Sequence, residues 1–505
     1  MPNKYNILLI TSDSQRTDSL SCMGSAFAYS PNIDALAGRG VLFTQAHSAS
    51  PVCAPARCSI MTGLHAPLHG CIENGLRRRN DVAFFTDYLK QAGYVTIIAG
   101  KTHFGFPQSF DIQYISQGEK NSDSDSVFAL ETIRRGYSSL SHHPNPVPEE
   151  YCHESIIVDK TIETLEGLGK SGKPFFAFCS LLSPHAPHDP PGRWLTDDIF
   201  KGKIPPPKFR PDEWESLPAA LKEFCGIPNS KQKTLDYPEK LEGAQGNVAD
   251  RLDINEMIHD RELYYRSCAY VDSLVGRLMK CLDETGLAKN TLVIFTSDHG
   301  QQLFDHGFND KHNYYDESLR IPCVMSLPGV LPENEKRGFF SHVDIAPTIL
   351  AAAGLECDFA GGFDMFTPLK NNTDASRIVA TQHAAARNSS AIRHFAAASL
   401  YGSMALVTYK WKLEYYYLDN KYRFYDRIYD PEETCNLADD PEYTDIKTAL
   451  TQTLLLWRSG LIDTAALKKS ADRGGPVAMR VIKRVKTECG NSNEAKVNEF
   501  LSGLL

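Results

Sequence analysis

Four short apolar runs, each stopping abruptly at a polar turn, limit the folds open to this chain. Asn6-Ile7-Leu8-Leu9-Ile10-Thr11 runs into Asp13. The run 94–99 ends at Gly100-Lys101-Thr102-His103, and the run 174–178 leads through Ser183-Pro184 to His185. A fourth, 291–296, ends at Ser297-Asp298-His299-Gly300. Continuous apolar runs of this length suit strands buried on both faces, as in a mostly parallel sheet covered by helices. Between Tyr264 and Leu282 the apolar residues Val271, Leu274, Val275, Leu278 and Leu282 share one helical stripe, and Gly286 stands where a helix stop is expected. Helix alternating with strand predicts an α/β domain over residues 1–375, with a large mostly parallel sheet flanked by helices.

Two regions read differently. From about 105 to 260 the chain is loop-rich, with proline clusters at 187–191 and 205–211 and a polar stretch at 228–250. These read as insertions around the strand ends, where specificity is usually built. Beyond 375, the segments 405–409, 411–417 and 422–425 read as an antiparallel meander, and a helix is expected between Tyr443 and Leu461. They predict a smaller C-terminal α+β domain over 376–505 containing an antiparallel sheet. The tail beyond Lys468 is rich in Lys and Arg and reads as a solvated end.

Composition removes several function classes. A net charge of -9 argues against nucleic acid as the main partner. No apolar run approaches the roughly 18–20 residues of a membrane span. The run 7–10 is too short for the core of a signal peptide, which predicts a cytoplasmic protein. The 13 cysteines are irregularly spaced and include no CxxC pair, so neither a disulfide framework nor a thiolate zinc site is indicated.

In a parallel sheet of this kind, ligands bind beyond the carboxyl ends of the strands. The four runs deliver Asp13, Lys101, His103, His185, Asp298 and His299 to that edge. Any one of them alone reads as a turn, cap or solvated residue; their convergence is what points to a site. Two carboxylates among them suit a hard divalent cation such as Ca²⁺ or Mg²⁺.

The most specific segment is Pro51-Val52-Cys53-Ala54-Pro55-Ala56-Arg57-Cys58-Ser59-Ile60-Met61-Thr62-Gly63. Read as residues alone, Cys53 is a nucleophile, a buried free thiol or half of a Cys53–Cys58 disulfide. The segment resembles C-x-P-[SA]-R followed by T-G, the signature of the type I, formylglycine-dependent sulfatases of the alkaline phosphatase superfamily. The resemblance continues in order along the chain. The opening run through Asp13 looks like that family's first strand and metal turn, and Ser30-Pro31-Asn32-Ile33-Asp34-Ala35-Leu36-Ala37 like its P-N-[IL]-D-x-L-A helix. Gly100-Lys101-Thr102-His103 is similar to G-K-x-H, Ser183-Pro184-His185 to its later P-H site, and Thr296-Ser297-Asp298-His299-Gly300, with Lys311 beyond it, to T-S-D-[HN]-G. Asp344-Ile345-Ala346-Pro347-Thr348 is similar to D-x-x-P-T. Tyr425-Asp426, Asp430-Pro431 and Asn436-Leu437-Ala438 resemble the closing segment.

The resemblance implies an alkaline-phosphatase-like fold and hydrolysis of sulfate monoesters of a small organic molecule or saccharide, with phosphonate or phosphate monoesters as the alternative. It implies conversion of Cys53 to Cα-formylglycine by a formylglycine-generating maturation enzyme, and one Ca²⁺ or Mg²⁺. The implied metal set is Asp13, Asp298, His299 and the nucleophile at Cys53. Ser14 stands where the family often carries a second acid or a glutamine, so its hydroxyl ligates, orders a water or does neither. Arg57 would hold the nucleophile, Lys101, His185 and Lys311 would bind sulfate oxygens, and His103 would be the base that releases sulfate.

Overall fold

The computed structural model describes residues 4–105, 109–116, 127–137, 145–210, 213, 216–219, 221–222, 253–355, 362–371, 396–400, 402–417 and 419–460. The stretch 228–250 and the tail beyond Lys468 lie outside the described residues.

All four runs are strands: β1 (Asn6–Ser12), β3 (Val95–Lys101), β5 (Phe175–Ser180) and β6 (Thr291–Ser297). With β2 (Val41–His47), β4 (Ile112–Ser116), β7 (Cys323–Ser326) and β8 (Glu335–Ser341) they form an eight-stranded sheet of order β4-β3-β5-β1-β6-β7-β2-β8. Only β7 runs against its neighbours, β6 and β2. The four runs read from sequence are therefore the contiguous centre of the sheet.

Period-two alternation places opposite sides of each central strand in different cores. Leu8 and Ile10 of β1 join Val293 and Phe295 of β6 under the helices Pro31–Gly38, His153–Ser171 and Ile254–Glu284. Ile7 and Leu9 join Leu292 and Ile294 on the other face, with the helices Cys53–Thr62, Phe85–Gln91 and Ile345–Ala352. The long helix contains the predicted 264–282 segment and extends it back to Ile254, where Asp253 caps it by accepting from the Asn255 N–H at 2.7 Å. The His153–Ser171 helix interrupts what reads as a loop-rich region; its buried stripe includes Ile156, Ile157, Thr161 and Leu165.

The C-terminal strands β9 (Ala396–Leu400), β10 (Ser403–Val407), β11 (Trp411–Tyr416) and β12 (Lys421–Asp426) form an antiparallel sheet in the order β12-β11-β10-β9. The helix Thr444–Gly460 covers one face through Leu450 and Leu454. On the other face, Ala396, Ala405 and Val407 pack with Tyr314, Tyr315, Leu319 and Val52, the residue before Cys53. Among the described residues, no helix is long and apolar enough to cross a membrane.

A buried stack ties the sheets to the loop after β6. His306 lies 3.5 Å from Tyr315, ring to ring, and Arg423 of β12 sits 4.3 Å over Tyr315 from the ring centre. His306 Nδ1 is 2.5 Å from Glu213, and its Nε2 is 3.7 Å from Glu317. Burial opposes a charged His306, but the two carboxylates outweigh it and raise its pKa to about 9. A histidine raised above its ordinary value of about 6.5 contributes stability in full below that value and loses it as pH climbs through about 9. The unfolding temperature should therefore fall between pH 7 and 10, and His306→Gln should flatten that fall, removing of order 3 kcal/mol of pH-dependent stability. Parallel slopes for the two proteins in thermal melts across that range would contradict the assignment.

Candidate active site

Every site residue read from the strand ends lies at the carboxyl edge of the large sheet. Asp13 follows β1, Lys101 is the last residue of β3, and Asp298 follows β6. Cys53 opens the helix Cys53–Thr62, all ten residues of which are buried. Potential ligand atoms of Asp13, Cys53, Asp298 and His299 lie within 4.8 Å of one another. The disulfide alternative fails: Cys53 and Cys58 are both free thiols, and Cys58 is hydrogen-bonded to Cys71 instead.

Arg57, one turn along the helix from Cys53, organises the two acids. Its Nη2 donates to Asp13 Oδ2 at 3.0 Å and its Nε to Asp298 Oδ2 at 2.8 Å. Its Nη1 donates to Ser180 Oγ at 2.7 Å. Lys101 Nζ adds a second cation 2.8 Å from Asp13 Oδ2. Burial opposes ionisation of Asp13, yet Lys101, Arg57 and His299 together hold its pKa well below the usual carboxylate range. Burial likewise raises the Cys53 thiol and Asp13 reinforces it, but Lys311, His299 and Lys101 prevail and hold it well below the usual thiol range.

His299 donates from Nδ1 to Gly300 O at 2.8 Å, which leaves Nε2 facing Cys53 Sγ at 3.1 Å. Burial disfavours its charge, but Asp298 and Cys53 raise its pKa to about 9. His185 is fixed the same way: Nδ1 donates to Ala186 O at 2.7 Å, so Nε2 is the acceptor for Lys311 Nζ at 2.9 Å. His103 has a left-handed backbone, φ 52°, and its buried Nδ1 has no hydrogen-bond partner among the described residues. Ser14 is also left-handed, φ 66°, which aims its N–H at Asp298 Oδ1, 3.0 Å away. Its hydroxyl donates to Asp13 Oδ1 at 3.0 Å.

The sequence reading misses several supporting residues. Ser180 receives Arg57, and Asn74 Oδ1 accepts the N–H of Ala54 beside the nucleophile at 3.0 Å. Asp310 lies 3.5 Å from Lys311 Nζ. Ser48 and His342 touch the Ser297–Asp298 backbone. Ser48 directly follows β2 and His342 directly follows β8, so the strand-end rule that locates Asp13 would locate both if those strands were legible.

The donor set fits a hard divalent cation: two buried carboxylates and an imidazole converge, with fixed cations beside them for an anionic group. This edge defines a hydrolase of anionic esters. Comparison with known proteins names the group. The family model described as Sulfatase matches residues 5–355, and that described as N-sulphoglucosamine sulphohydrolase, C-terminal, matches 304–459. The chain is 26% identical to the N-acetylglucosamine-6-O-sulfatase of Bacteroides thetaiotaomicron, covering 89% of this chain and 85% of that one. It is 26% identical to the choline-sulfatase of Rhizobium meliloti, covering 87% and 83%. The solved phosphonate monoester hydrolase of Agrobacterium radiobacter shares the fold, with a TM-score of 0.77 at 22% identity over 92% of this chain and 97% of that one. The chain belongs to the sulfatase family, within the alkaline phosphatase superfamily, and is a sulfuric ester hydrolase.

Proposed function

We propose that the chain hydrolyses sulfate monoesters of a small organic alcohol or saccharide, using a nucleophile made from Cys53 beside one Ca²⁺ or Mg²⁺. The observation that carries this reading is the position of Cys53. It opens a buried helix, faces His299 Nε2 at 3.1 Å and sits among cations strong enough to hold its thiol well below the usual range. A group at this point that loses a proton is stabilised as an anion, which is what a nucleophile requires.

Asp13, Asp298 and His299 would hold the ion, which offsets charge on the sulfate oxygens and favours ionisation of the nucleophile. Oxidised to Cα-formylglycine by a maturation enzyme and hydrated by one water at the aldehyde, the residue would supply two geminal hydroxyls, one for attack on sulfur and one whose deprotonation expels sulfate and restores the aldehyde. Arg57 keeps the two acids apart and aimed. Lys101 and Lys311 present ammonium donors to the sulfate oxygens. His185 Nε2 accepts from Lys311, so the lysine, not the histidine, carries the proton available to the departing alkoxide. His103, whose Nδ1 has no hydrogen-bond partner among the described residues, is the base for sulfate release. The saccharide-directed relative supports a sugar substrate.

Sulfate monoesters carry one diffuse negative charge, which suits several fixed donors around one metal, whereas a doubly charged phosphate favours a second ion. Converted enzyme should therefore show a higher kcat/KM for an aryl sulfate than for the matched aryl phosphate, and the aryl phosphonate, a monoanion like the sulfate, is the third substrate in the comparison because charge does not separate it from sulfate. A phosphonate preference in that comparison would reassign the protein to phosphonate hydrolysis. A panel of sulfated sugars and choline sulfate then identifies the alcohol half.

A further inference from the structure

Ser297 ends β6 and Asp298 follows it, so the carbonyls of both residues sit at the sheet edge. Both are satisfied, and from an unexpected quarter. His342 Nε2 lies 2.9 Å from Ser297 O, and Ser48 Oγ lies 2.7 Å from Asp298 O. The two side chains also meet, His342 Nδ1 being 3.2 Å from Ser48 Oγ. Ser48, His342, Ser297 and Asp298 are all fully buried.

The chemistry fixes the arrangement. A carbonyl only accepts, so His342 carries its proton on Nε2 and keeps the Nδ1 lone pair towards Ser48. Ser48 has one proton to give and shares it between Ser50 O at 2.6 Å and Asp298 O at 2.7 Å, both nearer than the imidazole. The topology makes the meeting possible: β2 and β8 are parallel neighbours in register through His47↔Ser341, so the next residue of each strand arrives at the same level.

We propose that His342 and Ser48 are positioning residues for the metal ligand Asp298. They hold the peptide on either side of its Cα, and so set the direction in which its carboxylate points. The carboxylate itself is pinned from the opposite side, Oδ1 by the N–H groups of Ser14 at 3.0 Å and His299 at 2.9 Å, and Oδ2 by Arg57. With backbone and carboxylate both clamped, Asp298 has one orientation. Without the clamp the 297–298 peptide keeps only the long contacts from the Asp298 N–H to Ser12 O at 3.3 Å and from Thr296 Oγ1 to Ser297 O at 3.4 Å, and the carboxylate loses its aim before it loses its charge. Groups that orient a ligand from behind commonly change metal affinity by about 10–100-fold when removed.

The inference rests on the metal reading above, and a Ca²⁺ titration of the full-length, chelator-stripped protein, followed by calorimetry and thermal shift, separates the two. No Ca²⁺ or Mg²⁺ binding by wild type would defeat the metal reading itself. Given wild-type binding, His342→Phe keeps the ring volume but loses both nitrogens, and should weaken Ca²⁺ affinity by about 10–100-fold. His342→Gln, whose amide N–H replaces the Nε2 donor, should recover most of it. Ser48→Ala should weaken affinity about tenfold and serves if His342→Phe does not fold. A purely structural role would lower the melting temperature of the metal-free protein and leave the Ca²⁺ midpoint unchanged. Wild-type Ca²⁺ affinity in a folded His342→Phe or Ser48→Ala variant overturns the proposal.

Discussion

Cys53→Ala is expected to yield a folded protein whose turnover of sulfate esters is lower by roughly 10⁴-fold or more, the scale of removing the nucleophile from a covalent mechanism. Folding should survive because the change is small. Cys53 is the first residue of its helix, alanine is the best helix former, and only one buried sulfur is lost, at a cost of about 1 kcal/mol. The carboxylates, Arg57 and Lys101 keep one another as partners. The loss should therefore appear in kcat/KM with little change in the far-ultraviolet dichroism or melting temperature. Mass spectrometry of the wild-type peptide containing Cys53 should show the change from thiol to aldehyde, and activity should scale with the converted fraction. Substantial sulfatase activity in the alanine variant would remove Cys53 from the mechanism. So would full activity in wild-type protein that retains the thiol.

How much of this site can be read from sequence depends on where each strand lies in the sheet. The strands legible as apolar runs, β1, β3, β5 and β6, are contiguous at its centre, where both faces are covered and nearly every residue is buried. The edge strands β4 and β8 are partly exposed and carry polar residues such as Gln113, Glu335, Lys336 and Arg337, so no run marks them. Side chains just past a legible strand are recognisable from sequence: Asp13, Lys101, His103, His185, Asp298 and His299. Those past an illegible strand escape notice, and His342 is the costliest example. A second limit is distance along the chain. The motif around Cys53 marks Arg57 as important, but nothing local says that its guanidinium bridges Asp13 and Asp298, 44 and 241 positions away. The His153–Ser171 helix is obscured differently, by proline-rich flanks and by Glu and Lys residues that dilute its apolar stripe.

That bridge gives the other large effect. Arg57 is 1% exposed and is the nearer of two cations beside Asp298, its Nε 2.8 Å from Oδ2 while His299 Nε2 lies 3.8 Å from Oδ1. Arg57→Ala leaves Asp13 with Lys101 at 2.8 Å but takes that partner from Asp298. Removing one partner of a buried ion pair typically costs about 3–5 kcal/mol, because the remaining charge stays desolvated. For a chain this large the metal-free protein should melt about 3–5 °C lower. Arg57→Lys should recover little, since an ammonium is a point charge and cannot span both carboxylates as the planar guanidinium does. The ion makes the prediction specific. Arginine and a divalent cation draw on the charge of the same two carboxylates, so deleting the arginine leaves them less compensated. Ca²⁺ should then raise the melting temperature of Arg57→Ala by more than it raises that of wild type, while activity stays low because both acids have lost their common anchor. Melting curves of both proteins with and without Ca²⁺ decide the matter. Equal Ca²⁺ increments would mean that Arg57 and the ion do not share the carboxylates. An unchanged metal-free melting temperature would mean that Asp298 is stabilised by something other than Arg57.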